Sequence, residues 1–177
     1  MSGVKESALV VLVPEAEPLV KPWRDKWDPS AAEGMPAHIT IQYPFCPPHE
    51  LTAASITALQ DLFARFSGFA FSLAELQRFP TVLYLAPRPD APFKELTSAV
   101  AEQIPERAPY GGAFADIVPH LTVAQVADQR QLDAIAVEVE RMAAGQLPVQ
   151  GSVAAVTLME SKQERWQVHT TFQLGRA

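Results

Sequence analysis

Cysteine is almost missing from this chain: Cys46 is the one thiol among 177 residues. A lone thiol closes no internal disulfide and builds no Cys-based structural zinc site, so a stapled secreted scaffold and a zinc finger are both excluded. Glycine is sparse, 8 residues beside 16 prolines, and the two together stay below the share that marks a low-complexity chain. Positive charge is in the minority. Fourteen Lys plus Arg face 20 Asp plus Glu, a net charge of −6, which argues against coating long nucleic acid by neutralising many phosphates. A small nucleotide or an RNA terminus in a local site stays compatible with that balance. Long apolar runs are lacking too. The longest early one, residues 8–13, is flanked by Lys5, Glu6 and Glu15 and stops at Pro14, too short to span a bilayer and without a signal-peptide cleavage site. The expectation is a soluble cytoplasmic protein with no membrane partner.

What the chain does have is a core. Forty-eight per cent of it is apolar and 19% charged, at a length near the prior for one domain. Residues 8–14 read as a buried strand. Leu19, Trp23 and Trp27 recur at helical spacing, with Pro22 expected to start or kink that helix. Residues 28–36 carry loop chemistry, and 38–43 (HITIQY) alternate with the strand period. Leu51, Leu59, Leu62, Phe63 and Phe66 form a helical stripe with Gly68 as its expected stop. Strand-like runs follow at 69–76 and 81–86. Pro92 opens a helix bearing Phe93, Leu96, Val100 and Ile104. A Pro/Gly turn at 109–114 leads to a strand at 120–124. Asp128 and Gln131 resemble a capping box before the stripe Leu132, Ile135, Val139 and Met142, which Gly145 would end. Strand-like runs at 152–159 and 165–174 close the chain.

The two halves, about 1–80 and 81–177, agree. Each reads strand, helix, Pro/Gly loop, His-x-Thr strand, helix, strand, strand, with 81–86 serving both. This indicates an internal duplication in one two-lobed domain over 1–177, with strands shared between the lobes. The repeated element is His38-Ile39-Thr40-Ile41 and His120-Leu121-Thr122-Val123. In a strand, His38 and Thr40 share one face while Ile39 and Ile41 enter the core, and the second copy behaves alike. If the copies are related by a pseudo-dyad, two imidazoles and two hydroxyls meet across one groove. Imidazole titrates near neutral pH and suits both proton abstraction and proton donation, and hydroxyls donate to phosphate oxygens as charge builds. His38 and His120 are therefore the expected catalytic pair and Thr40 and Thr122 the expected phosphate donors. The scheme needs no cofactor and no metal.

The tetrads HITI and HLTV resemble the signature of the 2H (two-histidine) phosphoesterase superfamily, in its bacterial 2'-5' RNA ligase-like and cyclic phosphodiesterase branch. The likeness takes in the early strand, the Pro-rich approach to HITIQYPF, the central FP-TVLYLAP run and the late WQVHTTFQLG strand. It implies an α+β fold, bilobal and pseudo-two-fold, with duplicated antiparallel β-sheets and flanking helices around a central cleft. The implied reaction is opening of a 2',3'-cyclic phosphate, or cleaving and joining a 2'-5' phosphodiester bond. The rival class is a binding module that holds a cyclic-phosphate nucleotide in the same groove without turnover. A two-histidine metal hydrolase is the third, disfavoured because no His/Asp/Glu cluster shows ligand spacing.

The remaining candidates receive plainer readings. His169-Thr170-Thr171 repeats the letters without the preceding loop or the following helix, so His169 is expected to be a polar strand residue. Tyr43 is expected on the face opposite His38, in core or rim. His49 reads as a surface turn residue, Cys46 and the Trp residues at 23 and 27 as packing. Arg78, Arg88, Lys162 and Arg165 are candidates for a local positive field.

Overall fold

The computed structural model describes residues 6–105 and 117–176, so the turn read at 109–114 lies outside the described residues. In chain order the elements are β1 (Ser7–Leu12), α1 (Glu17–Trp27), α2 (Pro29–Ala32), β2 (His38–Gln42), α3 (Ala53–Ala64), β3 (Phe69–Arg78), β4 (Val82–Arg88), α4 (Ala91–Gln103), β5 (Leu121–Gln125), α5 (Gln129–Ala143), β6 (Val149–Val153), β7 (Ala155–Lys162) and β8 (Arg165–Gln173). The eight strands among the described residues join one antiparallel sheet in the order β6-β3-β4-β5-β2-β1-β7-β8. This is the expected mixed α and β architecture. No described helix is long and apolar enough to cross a membrane.

The two central strands carry the repeated motif. β2 and β5 meet at one opposed pair, Ile39 and Leu121, the second residue of each tetrad. On either side the sheet is built alike. Leu9 lies opposite Gln42 and Val10 opposite Thr40, leaving Ile41 unmatched; Leu83 lies opposite Ala124 and Tyr84 opposite Thr122, leaving Val123 unmatched. Both motif strands therefore bulge at the fourth tetrad residue, so the duplication reaches down to register. The helices cross over in the same symmetric way: α1 packs on β5 and α4 on β2.

Helix boundaries follow local chemistry. α3 starts in a reciprocal capping box in which Ser55 N–H donates to Thr52 Oγ1 at 3.1 Å and Thr52 N–H donates to Ser55 Oγ at 2.8 Å. Asp128 accepts from Gln131 N–H at 2.8 Å at the head of α5, and Gly145 beyond its end takes φ +80°. α1 starts at Glu17 and runs through Pro22, neither starting there nor stopping; the ring costs one ladder donor in an otherwise continuous helix.

Two expectations are corrected. The run at 152–159 is not one strand: β6 ends at Val153 and β7 begins at Ala155, and the two pair with strands in opposite halves of the sheet. One residue links strands six places apart, which requires the sheet to curl until its ends approach. Leu174 N–H donates to the Ala154 carbonyl at 2.9 Å across that approach. Gly68 does not stop α3, which ends at Ala64; a Cβ on Gly68 would sit 2.9 Å from the Val153 carbonyl oxygen, so the residue is small because β6 passes close by. Gly175 is fitted more tightly. Its N–H donates to the Phe66 carbonyl at 2.7 Å, and any Cβ there would run into the Ala64 carbonyl oxygen. Gly175→Ala should lower unfolding stability by about 1–3 kcal/mol through forced backbone displacement, read as a lower urea midpoint at unchanged slope.

Candidate active site

Alternation with core demand aims the motif side chains. Ile39 and Ile41 are 0% and 2% exposed, Leu121 and Val123 both 0%, all in the main core. His38, Thr40, His120 and Thr122 are left half-buried on the other face. The Ile39–Leu121 register puts His38 across from Thr122 and Thr40 across from His120. The two imidazoles are then diagonal neighbours with backbones about 7–8 Å apart, and so are the two hydroxyls. The structure thus brings all four expected residues onto one face.

Each imidazole is anchored in the same manner. His38 Nδ1 lies 2.8 Å from the Pro36 carbonyl oxygen and His120 Nδ1 2.7 Å from that of Val118, in both cases two residues upstream. A carbonyl only accepts, so Nδ1 carries the proton in both rings and Nε2 holds the free lone pair. Burial lowers both pKa values. That of His38 falls to about 4, first by desolvation and further by the positive charges of Arg24 and His120, against the raising effects of the Pro36 carbonyl and Asp28. His120 is lowered by burial against the Val118 carbonyl. At neutral pH the unliganded site holds two neutral bases.

His38, Thr40 and Thr122 line a cavity of about 320 Å³. His120 stands beside that wall, edge-on to Phe79 at 5.1 Å and to Tyr84 at 5.5 Å. The same register explains why the cavity opens on one side. Opposite Thr122 stands Tyr84, stacked on Phe79 at 4.4 Å and filling the β4 side, whereas opposite Thr40 stands the small Val10.

Several lining residues were not visible in the sequence pattern. Tyr43 lines the cavity, contrary to the expectation that it faces away from His38. The cause is the bulge: Ile41 and Gln42 both turn to the core side, which returns Tyr43 to the cleft. Gln125, at the matching place five residues after His120, also lines it. Burial and its hydrogen bond to Glu6 at 2.7 Å push the Tyr43 phenol up to about 12. Arg24 was not anticipated either. Its side chain is 3% exposed and that of Asp28 4%, joined Nε to Oδ2 at 2.9 Å. Asp28 also accepts from Ser30 N–H at 3.0 Å, and both Asp28 and Ser30 line the cavity. Glu17, 4.0 Å from Arg24, accepts from the N–H of Ala37, the residue before His38. Helix spacing shows Arg24 and Asp28 as an i,i+4 pair; their burial depends on tertiary packing.

The other candidates settle elsewhere. Arg78 pairs with Asp133 at 2.7 Å, Arg88 with Glu75 at 3.6 Å and Lys162 with Glu160 at 2.7 Å, so these cations are engaged away from the cavity wall; Arg165 lies beside Gly34. His169 is the unmatched residue of a bulge on β8, 3.3 Å from Glu160, on an outer hairpin. His49 is exposed beside Glu50, and Cys46 is buried with its N–H donating to Ser7 Oγ. Trp23 and Trp27 pack on the main core.

The family model described as the 2'-5' RNA ligase superfamily matches residues 12–165. No curated protein matches. Among solved structures, E. coli LigT complexed with 3'-AMP is similar at 18% identity and TM-score 0.66, covering 96% of this chain and 98% of its own. E. coli LigT complexed with NADP+ is similar at 21% identity and TM-score 0.62, covering 97% and 98%. The Thermus thermophilus protein TT0787 follows at 20% and 0.59, again covering 97% and 98%.

Two outcomes test the electrostatics of the wall. Arg24→Met leaves the buried Asp28 carboxylate without its cation and should cost about 3–5 kcal/mol of stability by urea unfolding. Above pH 6.5 the His38 imidazole is neutral in both folded and unfolded chains. Below it, the unfolded chain takes a proton that the folded ring refuses until about pH 4, so stability falls across that window. The urea midpoint should drop from pH 7 to pH 5, and His38→Gln should flatten that drop.

Proposed function

Because the chain belongs to the 2'-5' RNA ligase superfamily, we propose that it is a phosphoesterase acting on a nucleotide or RNA terminus, opening 2',3'-cyclic phosphates or cleaving and joining 2'-5' bonds. One observation carries the reading: two imidazoles with their Nδ1 atoms anchored to carbonyls stand diagonally across a groove floored by two threonine hydroxyls.

The chemistry follows from that arrangement. One Nε2 lone pair takes the proton of the attacking water or hydroxyl as its oxygen bonds to phosphorus. The other histidine, entering as imidazolium, gives its Nε2 proton to the departing ribose oxygen as the P–O bond breaks. Net proton count is unchanged, and the two rings exchange roles in the reverse reaction. Thr40 and Thr122 donate to the non-bridging oxygens, where charge accumulates. The substrate itself helps charge the acid: a phosphodiester anion between two buried imidazoles raises the pKa of whichever ring protonates. The 3'-AMP of the similar LigT structure supports a nucleotide as the ligand here. Metal ions have no part in this scheme.

Turnover of 2',3'-cyclic mononucleotides and 2'-5'-linked RNA tests it. His38→Ala and His120→Ala should each lower kcat by about 10²–10⁴-fold. The kcat/KM profile should be bell-shaped with its maximum below pH 6.5, since both free imidazoles titrate below their ordinary value, and the kcat profile should lie at higher pH. Activity should survive EDTA. Loss in EDTA with recovery on zinc or manganese, or wild-type turnover in the double alanine variant, would overturn the mechanism; nucleotide binding with no product would leave the groove as a binding module.

A further inference from the structure

Resting on the reading of this groove as a nucleotide site, we propose that the β1 side of the cavity is a nucleobase subsite that selects guanine, with Glu33 as the principal base-reading residue and Glu6 behind it. The floor there is apolar. Ala8, Val10, Met35, Met159 and Trp166 form a second hydrophobic cluster, separate from the main core and on the face that bears His38 and Thr40. Tyr43 joins it, its ring edge-on to Trp166 at 6.3 Å and 65°. An apolar, aromatic-rimmed floor beside a phosphate site offers a flat base a surface to lie on. At about 320 Å³ the cavity is at the small end for ligand sites and has the capacity of one nucleotide.

The polar groups at that end ask for hydrogen-bond donors. Glu6 and Glu33 both line the cavity, and both negative charges act on the Tyr43 phenol between them. Glu6 accepts the hydrogen bond of the Tyr43 hydroxyl through Oε2 at 2.7 Å. Glu33 is exposed at the rim, and its backbone carbonyl accepts from Trp166 N–H at 2.7 Å, which places its main chain beside the aromatic floor. A carboxylate has acceptors only. Guanine presents N1–H and its N2 amine side by side, two parallel donors for two oxygens, the mirror of an arginine fork on a carboxylate. Adenine and cytosine set one amine beside a ring nitrogen lone pair, and uracil flanks its single N–H with two carbonyl oxygens, so each brings lone pairs against the charge. Charge and shape thus favour guanine.

The test uses the intact protein. Calorimetric binding of guanosine, inosine, adenosine, cytidine and uridine 3'-monophosphates is run beside turnover of the matching 2',3'-cyclic phosphates. Guanosine should bind about tenfold or more tighter than inosine, which lacks the N2 amine, and than uridine. Glu33→Gln, on an exposed side chain, should collapse the guanosine-to-inosine ratio toward one; Trp166→Leu should weaken all five together. Equal binding of the five, or a guanosine preference that persists in both Glu33→Gln and Glu6→Gln, overturns the subsite. Turnover without base preference leaves the phosphoesterase reading standing and removes the subsite. Guanosine preference without turnover does the reverse, and failure of all five to bind together with no turnover removes both.

Discussion

One contact organises the molecule: the opposed pair Ile39 and Leu121, where the two halves of the sheet meet. Both side chains are wholly buried, and both are the second residue of their tetrad. A symmetric, apolar join of this kind leaves the flanking residues no freedom. Once Ile39 and Leu121 enter the core, alternation sends His38, Thr40, His120 and Thr122 to the other face. The dyad through the pair sets each histidine across from the other half's threonine. Hydrophobic burial, the least directional of the folding forces, is here what aims two imidazoles and two hydroxyls onto one face.

The same burial sets the electrostatic state of the site. Imidazoles taken out of water, His38 near a buried arginine and His120 against packed aromatics, are poor proton acceptors. The two rings and two hydroxyls are themselves uncharged without a ligand, and the charge at the cavity wall comes from Asp28, Glu6 and Glu33. Arg24 belongs to that balance. Its charge is met by Asp28 within hydrogen-bond distance, so the guanidinium disfavours a proton on His38 while the carboxylate partly offsets it. A buried ion pair adds little net stability once desolvation is counted. What it fixes is geometry: Asp28 and Ser30 at the cavity wall on one side, and through Glu17 the backbone leading into His38 on the other.

Much of this was legible in the sequence because it rests on period and repetition. Alternation at 38–41 and 120–123 fixed which side chains face the groove, and the matching order of elements pointed to a pseudo-dyad. What was hidden depends on contacts between distant segments. Nothing in HITIQY announces that Ile41 is unmatched against β1, yet that one extra residue decides that Tyr43 faces the site. The break at Ala154 is equally silent: 152–159 is uniformly strand-like, and the chain changes partners there only because the curled sheet brings its far edges together. Gly68 and Arg24 are of the same kind, one small because β6 passes, the other buried because α1 lies over β5.

In the proposed mechanism, the duplication also accounts for how a symmetric pair of histidines can work in one direction. Two equivalent histidines related by a dyad offer a phosphodiester two equal orientations, with base and acid interchangeable. Divergence at matched positions removes that degeneracy. Val10 and Tyr84 occupy the same register place beside Thr40 and Thr122, and only the valine leaves room. Tyr43 and Gln125 stand equally far from their histidines, one aromatic and one an amide. On the proposed function, the bulk of a substrate fits on the β1 side and not on the β4 side, where Phe79 and Tyr84 fill the space and stand edge-on to His120. In that scheme orientation is imposed by packing away from the reacting atoms, while the two histidines keep their two-fold relation. A duplicated fold can in this way retain symmetric proton transfer in both directions of a reversible reaction and still bind its substrate one way round.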